Sequence, residues 1–133
     1  MPSSIDQVSR EGYQLFALYD HETKSKAELV PSLGGNIVSF SKFINGRWIE
    51  IIATPPSLET LVDLPTRWGN GVLFPYPGRV SDDQFVYKGR QITLPKDLAT
   101  GNAIHGLIRR REWKVIDSGV SQCGGVWILL HIG

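Results

Sequence analysis

Apolar and polar positions alternate along this chain in short stretches, and glycines and prolines cut those stretches apart. Tyr13, Leu15, Ala17 and Tyr19 fall on one face of an extended segment, so residues 13–19 are expected to form a strand. Residues 27–30 make a second, short strand stopped by Pro31. Gly34-Gly35 marks a tight turn or a close backbone approach. Residues 36–44 and 47–52 flank Asn45-Gly46, the strongest short hairpin signal, because a type I′ turn needs positive φ at both central residues. Residues 58–63 suit one or two helical turns capped by Ser57 and halted by Pro65. Residues 72–74 suggest a short apolar strand that runs into an irregular loop at Pro75, Pro77 and Gly78. Residues 85–87 and 91–94 flank a second hairpin turn at Lys88-Gly89-Arg90. A polar loop over 95–102 leads to the last strands, 112–116 and 126–132. No repeat, linker or boundary interrupts this pattern, so residues 1–133 are expected to be one all-β, antiparallel domain.

Bulk composition narrows the function classes. A chain of 133 residues buries about 68% of its unfolded surface, enough for one core. The net charge of +1 gives no long-range field for nucleic acid or an anionic membrane. The densest basic run, Arg109-Arg110-Arg111, is short and followed at once by Glu112, so no nucleic-acid partner is expected. The longest apolar run, 126–130, is too short to span a bilayer, and the first residues carry no secretory pattern. Cys123 is the single cysteine and excludes an internal disulfide, so the expected location is cytoplasmic.

Two residues stand out chemically. His105 precedes Gly106 after the apolar step Ala103-Ile104, and the missing Gly106 side chain allows close approach to the ring. Its alternatives are a histidine satisfied by backbone or a hydrogen-bond donor and proton carrier at a pocket mouth. Arg79 leaves the turn pinned by Pro77 and Gly78; it either lies over an aromatic such as Tyr76 or offers a fork of donors to oxygen-rich ligands. Trp68 beside Gly69 offers a stacking face for a sugar ring, or packs in the core like the other tryptophans. Asp82 and Asp83 are adjacent, so on an extended chain their carboxylates point apart and suit a turn better than paired acid–base work. The three histidines share no metal-type spacing, and no metal site is expected. There is no glycine-rich phosphate loop and no nucleophile elbow.

Five segments taken together resemble the aldose 1-epimerase (galactose mutarotase) family. They are Trp68-Gly-Asn-Gly-Val-Leu-Phe-Pro-Tyr-Pro-Gly-Arg79, Phe85-Val-Tyr-Lys-Gly89, Ile92-Thr-Leu-Pro95, Ala103-Ile-His-Gly106 and Trp113. Leu33-Gly-Gly-Asn-Ile-Val-Ser-Phe40 is similar to an early strand of the same family. The resemblance covers residues 13–127 and corresponds to the family's amino-terminal half. It implies a large antiparallel β-sandwich, here a portion of one, that binds a free hexose in a cleft. It implies that Arg79 contacts sugar hydroxyls and that His105, carried over as the catalytic histidine, sits beside the ring oxygen. The implied reaction interconverts α and β anomers by acid–base ring opening, and needs no cofactor.

The resemblance also implies a second histidine, an aspartate and a glutamate base in a carboxy-terminal half whose motifs do not occur in this chain. A portion of a sandwich is expected to leave open strand edges and to self-associate over them, which a monomer in size-exclusion without apolar-dye binding would refute. Two alternatives to the epimerase remain: a carbohydrate-binding module without catalysis, and a relative of hexose-6-phosphate 1-epimerase in which Arg109 to Arg111 hold the phosphate.

Overall fold

The computed structural model describes residues 2–98 and 100–133. The chain begins with a five-stranded antiparallel meander: β1 (Ser4–Arg10), β2 (Tyr13–Asp20), β3 (Ser25–Val30), β4 (Asn36–Ile44) and β5 (Arg47–Glu50). A single helical turn, α1 (Thr60–Asp63), follows. Three two-stranded pieces complete it. β6 (Arg79–Val80) pairs with β9 (Ala103–Ile104), β7 (Gln84–Tyr87) with β8 (Arg90–Thr93), and β10 (Lys114–Val120) with β11 (Val126–His131). The chain is all-β and antiparallel, as the alternation and turn chemistry imply.

The hairpins form where their turn residues require. Asn45 and Gly46 both take positive φ, 50° and 81°, and Lys88 and Gly89 do the same at 49° and 73°. The two remaining expectations from the alternation fare differently. Residues 72–74 do not form a strand: Phe74 makes one isolated bridge to Gly106, and Pro75 ends any ladder there. The helical turn exists, but Ser57 does not cap it through its side chain. Instead the Leu58 N–H donates to both carboxylate oxygens of Glu11, at 3.0 and 3.2 Å, across from the β1–β2 turn. The carboxylate supplies the acceptor that the orphan amide needs.

Register divides one face of the meander into two zones. Val8 pairs with Leu15 and, together with Val30 and Val38, opens the apolar end. There Leu15, Val30 and Val38 meet Leu58 and Leu61 of the α1 segment, with Tyr13, Leu33 and Trp68 packed around them. Burying each of these aliphatic side chains stabilises the fold by about 1.5–3 kcal/mol. The other end of that face carries the rows Ser4–Tyr19–Lys26–Ser41–Glu50 and Asp6–Ala17–Glu28–Ser39, and stays open.

Two further attachments position the remaining segments. Asn36 is fully buried; its amide donates to the carbonyls of Pro65 (3.0 Å) and Trp68 (3.3 Å) and accepts from the Asn70 N–H (3.0 Å), stapling the 65–70 loop to β4. Gly34, at φ +71°, donates to the Arg111 carbonyl at 3.0 Å, and a Cβ there would collide with the Arg109 carbonyl. The Trp113 ring lies on Gly35, and its backbone N–H donates to the Pro31 carbonyl at 2.9 Å. The double glycine is therefore the seat on which residues 109–113 dock.

Candidate functional site

Arg79 and His105 arrive together through the short ladder β6–β9. Arg79 pairs with Ile104, and His105 follows immediately. His105 takes a left-handed backbone, φ +60°, which costs a non-glycine residue about 1–3 kcal/mol and persists only where surroundings enforce it. The enforcement is visible. The His105 N–H donates to the Gly78 carbonyl at 2.9 Å, and the Gly78 N–H donates to His105 Nδ1 at 3.1 Å. Gly106 is also left-handed, at φ +77°, and a Cβ there would fall on the Phe74 carbonyl. That carbonyl accepts the Leu107 N–H at 2.7 Å. The chain is thus clamped on both sides of the imidazole.

The clamp fixes the ring's chemistry. Since Nδ1 accepts from an amide, the proton of the neutral ring sits on Nε2. Burial pushes the His105 pKa down, and the positive charges of Arg109 and Arg79 push it further, against a smaller opposing pull from Asp97. The imidazole is therefore held neutral, with Nε2–H as a donor. It lines a cavity of about 170 Å³ together with Pro65, Arg67, Asp97, Ile104 and Arg109. Arg79 is exposed on the neighbouring strand and does not line that cavity. Trp68 is half-buried against the core cluster, with its carbonyl held by Asn36.

The cavity rests on a buried ionic cluster that the sequence did not single out. Asp97 accepts from Arg109 Nη2 at 2.6 Å and from Arg110 Nη2 at 2.7 Å through one oxygen, and from the Thr100 N–H at 3.2 Å through the other. The Asp97 side chain is 3% exposed and that of Arg109 is 9%. Burial alone would raise the Asp97 pKa; the hydrogen bonds and charges of Arg110 and Arg109 overcome it and hold the carboxyl well below the usual range. Arg110 also donates to the Val62 and Asp63 carbonyls at the end of α1, and Arg111 donates to the Gly133 carbonyl. All three arginines are thus engaged by the protein. Arg109 is the buried member of the three, whereas Arg110 and Arg111 keep exposed guanidinium groups.

Asp82 and Asp83 do form a turn, both at positive φ, but with unequal fates. Asp82 is exposed. Asp83 is buried; it accepts the Ala103 N–H and meets the Lys96 ammonium at 3.1 Å. The Ala103 hydrogen bond, outweighing burial and aided by Lys96, lowers its pKa. Asp83 therefore pins the start of β9, two residues before His105.

A crystal structure of a galactose mutarotase-like protein from Clostridium acetobutylicum superposes with a TM-score of 0.82 over 97% of this chain, at 24% identity. The present chain spans 38% of that protein's length. The likeness establishes a galactose mutarotase-like fold. Residues 18–129 match the sequence model of the aldose 1-epimerase family, which takes in both Arg79 and His105 as well as the Asp97 cluster beneath them. The chain belongs to the aldose 1-epimerase family.

Proposed function

We propose that this chain supplies the hexose-contacting half of an aldose 1-epimerase site, with Arg79 and His105 as its substrate contacts. The observation that carries the reading is the reciprocal pair of hydrogen bonds between His105 and Gly78. It presents a neutral imidazole whose Nε2–H is a fixed donor, suited to the ring oxygen of a pyranose. Arg79, one strand away, offers a planar set of donors to neighbouring hydroxyls.

The same geometry bears on the division of labour in anomer interconversion. Ring opening needs a base at the C1 hydroxyl and an acid at the ring oxygen. His105 Nδ1 is occupied by the Gly78 amide, so the ring takes up a second proton only by giving up that bond. His105 is thereby suited to hold and polarise the ring oxygen, whereas the transferred proton comes from another group. Accelerated mutarotation is the first reading of this site. Sugar binding without catalysis is the second reading: Asp83 and Asp97 are buried in structural contacts, which leaves Asp63 as the exposed carboxylate that lines the cavity with His105.

Polarimetry of fresh α-galactose and α-glucose, with this chain and with His105→Ala, separates these readings. Acceleration lost in the variant supports catalysis. Unchanged rates with saturable hexose shifts at His105 support binding alone. Hexose that shifts neither His105 nor Arg79 resonances refutes both.

A further inference from the structure

The open end of the meander face holds a groove of about 700 Å³ that shares no lining residue with the cavity beside His105. We propose that this groove is a second binding site, for a neutral oligosaccharide. Its centre is an aromatic platform. Trp48 is 38% exposed although it is among the largest side chains, and its ring is held edge-on by Phe43 (centroids 5.5 Å, 63°) and Tyr19 (6.1 Å, 62°). A pyranose has one apolar C–H face, and an indole fixed by its edges is a surface on which that face stacks.

Hydrogen-bonding groups of both kinds surround the platform. Lys26 Nζ lies 3.8 Å from the Trp48 ring centroid and Lys24 Nζ lies 5.6 Å from that of Phe43. Among the described residues neither ammonium has a carboxylate within 4.0 Å. A cation over an exposed ring is weakly held, so Lys26 yields its place to a sugar and turns its donors to the hydroxyls. Asp6, which among the described residues accepts from the Ser4 hydroxyl alone at 3.2 Å, and the hydroxyl of Ser41 supply acceptors.

Charge balance selects the ligand class. The lining carries Lys24 and Lys26 against Asp6 and Glu28, and the Glu28 carboxylate is bound by both Arg10 nitrogens at 2.9 and 3.0 Å. With Glu28 satisfied by Arg10, Lys24 and Lys26 face Asp6, a surplus of a single positive charge that is too small to hold a polyanion. Size points to more than one ring, since this groove has about 700 Å³ against about 170 Å³ beside His105.

The test is a titration of the 15N-labelled chain with cellotriose, read at the tryptophan indole resonances. The expected result is a saturable shift of the Trp48 indole at millimolar sugar. Trp48→Ala should weaken binding about tenfold or more, as for a buried aromatic anchor. Lys26→Met keeps the stem on the ring and should weaken binding severalfold, which preserves the test should Trp48→Ala fail to fold. Affinity in His105→Ala should stay at the wild-type value. A titration without a saturable Trp48 shift overturns the proposal. So does cellotriose binding that is lost in His105→Ala and kept in Lys26→Met. Neither result bears on hexose binding at His105, which is read from its own resonances.

Discussion

Asp97→Asn is the substitution with the sharpest expected consequence. Asparagine keeps the shape and one acceptor but removes the charge that neutralises Arg109, whose side chain is 9% exposed. Breaking a buried pair by deleting one partner costs about 3–5 kcal/mol, because the other charge is left in a poor environment. Arg110 is 40% exposed and regains water, so the lower end of that range, about 3 kcal/mol, is the expected loss. With a urea slope of about 1.5 kcal/mol per M, the unfolding midpoint should fall by about 2 M. Asp97→Leu combined with Arg109→Met should recover most of the loss, since an apolar replacement of a whole buried pair is close to neutral. The wild-type chain carries the same signature in pH. The Asp97 carboxyl is held below its ordinary value, so its contribution is complete above about pH 4 and lost as pH falls through the lowered folded value. An Asp97→Asn midpoint within about 0.3 M of wild type would refute the reasoning, as would an undiminished acid transition in that variant.

Two further outcomes follow from the clamp on His105. The folded pKa of His105 lies below the ordinary 6.5 or so, so the unfolded chain binds the proton first; stability and hexose affinity should both decline as pH falls below that value, and an NMR titration of the ring that gives a raised pKa would refute this. Gly106→Ala forces a Cβ onto the Phe74 carbonyl at φ +77°; it should destabilise the chain by about 2 kcal/mol or more in urea and disturb the His105 resonances, and a shift under about 0.5 kcal/mol would show that the loop yields freely.

Local signals in the sequence translated into structure where a short stretch decides its own conformation. Asn45-Gly46 and Lys88-Gly89 impose positive φ pairs, and the strands on either side follow. β1 escaped notice because Ser4–Arg10 is largely exposed at the sheet edge and carries little apolar alternation; its existence depends on pairing with β2 and on the Glu11-Gly12 turn. The site divides along the same line. The special backbone around His105 and Arg79 was legible because each sits beside a glycine at positive φ. Asp83, Asp97 and Asn36 were not, because their partners lie 20, 12 and about 30 residues away and local spacing carries no trace of them. The burial of Arg109 within the triple arginine is hidden for the same reason: the carboxylate that pairs with it belongs to a loop that reads as merely polar.

The two bonds between Gly78 and His105 make the turn that carries Arg79 and the strand end that carries the imidazole a single mechanical body. The backbones that carry Arg79 and His105, 26 positions apart along the chain, therefore move as one, and a displacement of the turn at Gly78 is felt at the imidazole. A substitution that loosens Gly78 disturbs both segments together rather than either alone. The ladder that looks like a minor piece of β-structure thus works as a coupling between a turn and a strand end.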